Sequence, residues 1–248
     1  MILLIALLAA TSTPASLEKS CKAGKAAACD ELGRRYSDGL GVRRDETRAA
    51  ELFRKSCKAG NQDGCADDAR ALALGEGQAA DAKAALVRLD KLCKEGKARA
   101  CGHLGEALLR GLGGPKEGPV ADDLLAKACD DGFGRACSNL ASAVYKAAPQ
   151  REQAEALSLR GCNLGDPAGC AFVGELYGAS GDALRAGVYL AKACDAGLAR
   201  GCGAQGFLLV DSGADPKRGE KLLQKGCDGG DARSCDALRD LKLRDVKK

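Results

Sequence analysis

The chain has 248 residues, enough for one large domain or two ordinary ones, and a formal net charge of +4. Charges of both signs are spread along it, only 3% of its residues are aromatic and Trp is absent, which argues against a nucleic-acid-binding surface with aromatic stacking platforms. A single His and the lack of any Cys-x-x-Cys sequence argue against a structural zinc site and a redox-catalytic thiol pair.

Fourteen cysteines organise the chain as seven pairs, and the two members of each pair are eight residues apart. Successive first cysteines are 36, 36, 36, 33, 32 and 33 residues apart, a period typical of a solenoid of two-helix units. A glycine follows each first cysteine by three residues, and a basic residue precedes it by two, as at the end of a helix. The pairs are Cys21 with Cys29, Cys57 with Cys65, Cys93 with Cys101, Cys129 with Cys137, Cys162 with Cys170, Cys194 with Cys202 and Cys227 with Cys235.

A disulfide within each pair requires the chain to reverse between its two cysteines. In one continuous helix, residues eight apart lie roughly 12 Å apart along the axis, whereas the Cα atoms of a disulfide lie about 4.4–6.8 Å apart. We therefore predict that the first cysteine ends one helix, the glycine turns the chain, and the second cysteine begins the next helix. The alternative, reduced cysteines packed as small apolar side chains, fits seven complete recurrences less well.

The predicted elements follow the cysteines in order. A short helix ends near Cys21, and a helix that carries Asp30 begins at Cys29. A loop around Gly39 to Gly41 leads to a helix near 46–59, for which Asp45 is the natural cap. The remaining predictions are helices near 63–74 and 79–95, a loop from Gly111 to Pro119, helix starts near Pro149, Asp182 and Pro216, and a polar terminal helix from Asp236 to about Val246.

Two positions of the repeat carry packing information. Eight residues before the first cysteine, six copies have a small residue, which predicts a close crossing with a neighbouring helix. Three residues after the second cysteine, Asp68 stands where other copies have leucine, which predicts a poorer turn in that repeat. The small residues are Ala49, Ala85, Ala121, Ala154, Ala186 and Gly219.

The amino terminus reads as an export signal. Residues 1–10 form an apolar run that is too short to span a bilayer, and small residues follow it. We predict a signal peptide over 1–15, cleaved after Ala15 or Ala10, and a mature solenoid over 16–248 with no stable membrane insertion. A buried structural helix is the alternative for this segment. We favour the signal peptide because export would bring the chain to the oxidising compartment that seven disulfides need.

Several motifs resemble a known repeat family. Leu32-Gly33 and Leu104-Gly105, the loop from Tyr36 to Val42, and Lys-Ala-Cys at 127–129 and 192–194 resemble the Sel-1-like repeat, a relative of the tetratricopeptide repeat. With one bridge per helix pair, the chain resembles the Helicobacter cysteine-rich proteins. The resemblance implies a scaffold that holds proteins or peptides on a concave surface. Members of that branch have also been described as penicillin-binding or β-lactamase proteins.

The residues offer little for β-lactam chemistry. A serine β-lactamase needs Ser-x-x-Lys with Ser-Asp-Asn and Lys-Thr-Gly elements. The only Ser-x-x-Lys is Ser16 to Lys19, Ser37-Asp38-Gly39 is a partial second element, and Lys-Thr-Gly is absent. His103 is the only His, whereas a zinc enzyme needs several, so we interpret it as a solvated or packed side chain.

The sequence thus predicts an all-α protein, an α/α solenoid of about six helix pairs with a capping helix at the C-terminus. We expect an exported, periplasmic or secreted monomer that binds a protein or peptide and has neither cofactor nor chemistry of its own, with β-lactam binding or hydrolysis as the alternative. The helices that begin at each second cysteine are expected to line the concave face. Their candidate partner-binding residues are Arg34, Arg35, Asp67, Arg70, Glu106, Arg110, Asn139 and Gln205.

Overall fold

A computed structural model describes residues 13–147 and 150–246, apart from the side chains of 147 and 242–246. Fourteen helices and no strand occur in these residues. The predicted signal peptide lies almost wholly outside them, as does the helix start at Pro149. The helices are α1 (Pro14–Lys22), α2 (Ala26–Asp38), α3 (Glu46–Lys58), α4 (Gln62–Leu74), α5 (Ala82–Lys94), α6 (Ala98–Leu109), α7 (Gly118–Asp130), α8 (Gly134–Ala147), α9 (Arg151–Asn163), α10 (Pro167–Ala179), α11 (Ala183–Asp195), α12 (Ala199–Asp211), α13 (Pro216–Asp228) and α14 (Ala232–Val246).

The repeated cysteine pattern sets the ends of these helices. Each odd-numbered helix ends one residue after a first cysteine, and each even-numbered helix begins three residues before a second cysteine. The glycine between them is left-handed in all seven turns, with φ from 79° to 94°. Only glycine adopts this conformation without steric cost, which explains why the turn keeps it.

All seven predicted disulfides are present, and no described cysteine is free. Their Cα atoms are 4.4–4.8 Å apart, because the two helices of each hairpin approach closely at the turn. Each bridge closes a loop of about nine residues, which in the chain-entropy model stabilises the fold by about 2.6 kcal/mol. The bonds join Cys21 to Cys29, Cys57 to Cys65, Cys93 to Cys101, Cys129 to Cys137, Cys162 to Cys170, Cys194 to Cys202 and Cys227 to Cys235.

These bridges also indicate where the protein folds. Seven links in one chain form and persist only where thiols are oxidised, which indicates an oxidising, exported environment. Within the described ranges, every helix is too short or too polar to cross a bilayer.

The helices form two layers. The even-numbered helices contact each other from one repeat to the next along the whole series, whereas the odd-numbered helices contact mainly their neighbours in sequence. Helices on the concave side of a solenoid lie closer together than those on its convex side. The even-numbered helices, called inner helices below, therefore form the concave layer, and the odd-numbered outer helices form the convex one.

The predicted close crossings are confirmed. Ala121 of α7 is fully buried, and a Cβ added to Gly105 of α6 would lie 2.9 Å from its carbonyl oxygen. The same contact recurs between Gly206 of α12 and Gly219 of α13, at 2.6 Å. In these repeats, small residues at the two positions allow the inner helix to pack directly on the backbone of the next outer helix.

The starts of the inner helices need correction. Each inner helix begins three residues before its second cysteine rather than at it, so α14 starts at Ala232 and not at Asp236. The reason is that the cysteine amide donates the hydrogen bond that completes the first helical turn. In α2, for example, the Cys29 amide donates to the Lys25 carbonyl oxygen at 3.2 Å. The cysteines that lie one turn inside their helices are Cys29, Cys65, Cys101, Cys137, Cys170, Cys202 and Cys235.

One further helix start was wrong, and the structure shows what surrounds Asp68. Helix α5 begins at Ala82 rather than 79, because the Asp81 side chain accepts a hydrogen bond from the Ala84 amide and caps the helix there. Asp68, the expected weak point of its repeat, is buried in an ion pair with Arg88 at 2.7 Å. This repeat thus has a half-buried ion pair where the first, third and fourth copies have leucine.

The superhelix returns upon itself after about five repeats. The Gly41 amide, in the loop after α2, donates to the carbonyl oxygen of Gly197, in the turn before α12, at 3.4 Å. This contact joins the loop after the first disulfide hairpin to the turn of the sixth, across the hollow of the solenoid.

Candidate functional site

The hollow of the superhelix contains a cavity of about 540 Å³, called the central cavity below. Its walls are α2, α4 and α6 on one side and the amino-terminal ends of α8 and α10 on the other. The turn before α12 and the start of α1 lie at its edge. Its charged and aromatic lining residues are Glu31, Arg34, Arg35, Asp38, Asp67, Arg99, His103, Phe133, Arg135, Asp166 and Asp195.

The repeat register explains why these side chains meet. Residues two and five positions after a second cysteine are three apart and share one helix face. In the first three repeats these positions are Glu31 and Arg34, Asp67 and Arg70, and His103 and Glu106. The same face of successive inner helices therefore presents a column of polar groups to the hollow.

A buried ionic cluster lies at the centre of this column. One guanidinium nitrogen of Arg99, Nη1, donates to Oδ2 of Asp67 at 2.7 Å and to Oδ2 of Asp30 at 3.0 Å. The Nε2 atom of His103 lies 2.6 Å from Oδ1 of Asp67, and the imidazole packs edge-on against Phe133. These contacts connect α2, α4 and α6, so they fix three consecutive repeats to one another.

Burial and proximity separate the two carboxyl groups of the cluster. Burial raises the pKa of Asp30 to about 7, and the neighbouring Asp67 carboxylate adds to the shift. Burial also opposes ionisation of Asp67, but the hydrogen bond from His103 and the charge of Arg99 outweigh it and lower the pKa of Asp67. Burial lowers the pKa of His103, which favours the neutral imidazole near pH 7. Near neutral pH, Asp67 is therefore ionised and Asp30 is partly protonated.

A second link crosses the cavity. Arg135, in the first turn of α8, forms an ion pair with Asp38 at the end of α2, 97 residues away in sequence. Burial would lower the pKa of Arg135, but Asp38 and Asp166 raise it above its usual value. Asp166 also caps α10 by accepting from the Gly169 amide at 3.3 Å. The cavity thus has a fixed pattern of paired charges rather than one dominant sign.

A third group of charges continues along the inner face, next to the cluster. Arg70 donates to Glu76 at 2.8 Å, and its Nε lies 3.6 Å from Glu106. Glu106 accepts from the more exposed Arg110 at 2.7 Å. The positive and negative charges of these side chains balance, so the group is a packed ionic network with Arg110 at its exposed end.

The structure brings some of the predicted partner-binding residues together and not others. Arg34, Arg35 and Asp67 line the central cavity, where Glu31 accepts from Arg34 and lies 3.3 Å from Arg35. Arg70, Glu106 and Arg110 form the neighbouring network. Half-buried Asn139 and buried Gln205 lie outside the lining of the cavity. The roles of all eight residues in partner binding stay predictions.

Sequence reasoning did not identify three members of the cluster. His103 is packed, one of the two alternatives that the sequence predicts, but its bond to Asp67 is not predicted. Asp30 and Arg99 were not singled out. A usable signal existed, since Arg99 and Arg135 both stand two residues before a second cysteine, and Asp67 and His103 both stand two residues after one.

The arrangement offers charged and polar groups to a partner in the hollow. Among the described residues, no group of three or more His, Cys, Asp or Glu side chains is placed to bind a metal ion. Ser16, of the only Ser-x-x-Lys sequence, donates its hydroxyl to the Thr13 carbonyl oxygen at 2.8 Å in the first turn of α1. Paired charges around an open hollow can recognise polar groups of a partner.

The hairpins and their stacking define an α/α solenoid repeat protein. Comparison with family models gives a more specific result: the Sel1 repeat model matches residues 26–61, 98–133, 167–198 and 203–231. Because these segments cover more than half of the sequence, the chain belongs to the Sel1 repeat family. Sel1 repeats are protein-interaction modules. No curated protein sequence gives a significant match.

Solved structures with the same fold include a protective antigen of uropathogenic Escherichia coli described as displaying an SLR fold. It is 26% identical, with a TM-score of 0.59, and the match covers 86% of this chain but only 48% of that protein. A Sel1 repeat protein from Oxalobacter formigenes is 19% identical, with a TM-score of 0.58 and coverage of 86% and 87%. An immunity protein from Pseudomonas aeruginosa is 20% identical, with a TM-score of 0.50 and 75% coverage of both chains. The latter two likenesses show the fold alone.

Proposed function

We propose that this protein is an exported, monomeric scaffold that binds a segment of a protein or peptide in the central cavity and carries out no chemistry of its own. The observation that supports this most directly is the cavity itself, about 540 Å³ enclosed by five inner helices and held in shape by ion pairs between distant repeats. A hollow with paired charges already in place gains affinity because little ordering is needed on binding.

Two side chains offer the partner a direct contact. The side chains of Arg34 and Arg35 are 36% and 19% exposed, whereas the Nε atom of each is buried and lies 3.5 Å from Asp30 and 3.3 Å from Glu31, respectively. Both side chains already contact the Glu31 carboxylate, and because a guanidinium group carries only donors, its exposed part would pair with an acceptor group on a partner. The expected contact is therefore a carbonyl or carboxylate oxygen of the bound segment.

Site-specific photo-crosslinking in the native host tests this function. A photoreactive residue at Leu40, on the edge of the cavity, is expected to yield an adduct, whereas one at the convex position Leu184, 87% exposed, is not. Substitution Arg35→Ala should reduce the Leu40 adduct several-fold, and Arg185→Ala on outer helix α11 should leave it unchanged. Equal adducts from both positions, or none from Leu40, would contradict the proposal.

The same preparation addresses export and the alternative activity. Intact mass of the exported protein gives the cleavage site, because the products of cleavage after Ala10 and after Ala15 differ by five residues. Only the longer product keeps the Thr13 cap of α1. Turnover of a chromogenic β-lactam by the oxidised protein, lost in Ser16→Ala, would support the hydrolase alternative instead. Recovery from the periplasm or from the medium decides between the two destinations.

A further inference from the structure

A second hollow on the concave face differs in character from the central cavity. About 380 Å³ of space lies between α10, α12 and α14, and is called the C-terminal groove below. Gly174, Gly203 and Ala204 line it with almost no side chain, and Leu190 and Leu223 contribute apolar surface. The groove thus adds apolar walls to a layer that is mainly polar in the first three repeats, and its charged lining residues are Glu175, Arg200, Asp211, Asp231 and Arg233.

One aromatic side chain stands in this groove without cover. Phe207 is 58% exposed, whereas the other seven aromatic residues of the chain are all buried or half-buried. It is five residues after Cys202, the repeat position that Arg34 and Glu106 occupy in the first and third repeats. Phe207 therefore belongs to the inner face. Aromatic side chains exposed in such a setting are typical anchors for a partner.

The carboxyl-terminal ends of two helices favour a positively charged group at one part of the groove, although exposed Arg233, in the first turn of α14, also lines the groove. Helix α10 ends at Ala179 and α12 ends at Asp211, and both residues line the groove, so the negative ends of two helix dipoles lie there. Arg200 is engaged by Glu175, to which its Nε donates at 2.8 Å. Asp211 has no ion pair with a described residue. Asp240 of α14 extends the acidic side into the adjoining hollow.

We propose that the C-terminal groove binds a peptide segment in which an aliphatic or aromatic side chain stands next to a lysine or arginine. The apolar side chain lies over the glycine-lined floor against Phe207, and the basic group lies near Asp211 and the two helix ends. This inference rests on the proposed function, because it gives the chemistry of a partner on the concave face. It concerns a site separate from the central cavity.

Selection from a random heptapeptide display library on the oxidised protein tests it. Recovered sequences should be enriched in an apolar residue adjacent to Lys or Arg. A synthetic peptide of the enriched sequence should bind at least tenfold more weakly to Phe207→Ala, and several-fold more weakly to Asp211→Asn, by fluorescence polarisation. The matched control is Leu184→Ala, an exposed apolar truncation on the outer helix α11, for which affinity should stay within twofold.

Three outcomes would overturn the inference. Enrichment of acidic or wholly polar peptides contradicts the charge argument, and peptides that bind equally well to Phe207→Ala contradict the placement. Peptides that depend on Arg35 but not on Phe207 would refute the groove while leaving the central cavity as the binding site. The absence of any enrichment, with circular dichroism and thiol titration showing a folded and oxidised protein, would count against both proposals.

Discussion

Asp30 and Asp67 illustrate how single residues behave in this fold. Two carboxyl groups share one guanidinium nitrogen of Arg99 inside a buried cluster, where repulsion between like charges is poorly screened. One group accordingly stays ionised and the other accepts a proton more readily. Asp67 has the hydrogen bond from His103, so Asp30 takes the proton.

This division predicts the pH dependence of stability. An unfolded Asp titrates near pH 4, and folded Asp30 titrates at about 7, so the folded state binds the extra proton between these values. The contribution of Asp30 is fully present below about pH 4 and is lost as the pH rises to 7, by at most about 1.4 kcal/mol per pH unit. We expect Asp30→Asn, which resembles the protonated form, to be roughly 1–3 kcal/mol more stable than wild type at pH 7.5.

Urea unfolding of both proteins between pH 4.5 and 7.5 measures this difference, and the gain should shrink toward pH 4.5. The contribution of His103 to stability depends on pH in the opposite direction. Because burial lowers the pKa of His103 in the folded state, this contribution is lost as the pH falls below the pKa of the unfolded state. Comparing variant with wild type cancels that contribution. Asp90→Asn, in an exposed pair with Lys94, is the control and should show no pH-dependent difference. A gain for Asp30→Asn that does not change with pH would contradict the assignment.

At the scale of elements, the spacing between inner and outer helices depends on small residues. Gly206 of α12 faces the backbone of α13, where an added Cβ would lie 2.6 Å from the Gly219 carbonyl oxygen and 2.8 Å from the Leu223 amide nitrogen. Backbone atoms cannot rotate aside as a side chain can. The crossing therefore tolerates no larger residue unless α12 and α13 separate.

A matched pair of substitutions tests this requirement. Alanine is the better helix former by about 1 kcal/mol, so Gly→Ala is stabilising in a helix with free space. Gly187 of α11 has such space, and we expect Gly187→Ala to stabilise the protein by roughly 0.5–1 kcal/mol. Gly206→Ala should instead destabilise it by roughly 1–2 kcal/mol because overpacking outweighs propensity. Denaturant midpoints measure both, and a shift of the same sign in the two variants would refute the packing argument.

At the scale of the molecule, the curvature of the solenoid brings its first repeat against its sixth. Gly197 is one of seven equivalent turn glycines, all with positive φ, but it alone among them has a close neighbour. An added Cβ there would clash with the Gly41 amide nitrogen and lie 3.0 Å from the Leu40 carbonyl carbon. Closure of the superhelix thus depends on this turn having no side chain.

We expect Gly197→Ala to open the superhelix. In any of these turns, alanine would cost about 1 kcal/mol because its backbone must adopt the left-handed conformation. At position 197 the variant also loses the contact with the loop after α2. Gly96→Ala, with φ of 79° and no atom within 4 Å of the added Cβ, is the control for strain alone. Small-angle X-ray scattering should give a larger radius of gyration for Gly197→Ala than for Gly96→Ala, and equal radii would show that the contact does not hold the shape.

The sequence by itself determined the hairpins, their disulfides, the direction of the chain at every turn and the membership of a solenoid. Each of these features is encoded within about ten residues, by two cysteines, a glycine and a helix-ending basic residue, and does not depend on distant parts of the chain. Arg34, Arg35 and Asp67 could be placed on the concave face for the same reason, since helical periodicity fixes the face of a short helix. Partner-binding roles for Asn139 and Gln205 have no support from the cavity.

Only the tertiary structure decided which repeats meet across the hollow. The pairing of Asp30 with Arg99, 69 residues apart, and of Asp38 with Arg135, 97 residues apart, follows from the rotation between successive repeats. That rotation is small at each interface, is set by how side chains such as Leu125 fill the crossings, and adds up over five repeats. A local pattern fixes each hairpin, but the sum of the interface angles fixes the cavity, so the ionic cluster and the closed superhelix emerge only when the repeats are stacked.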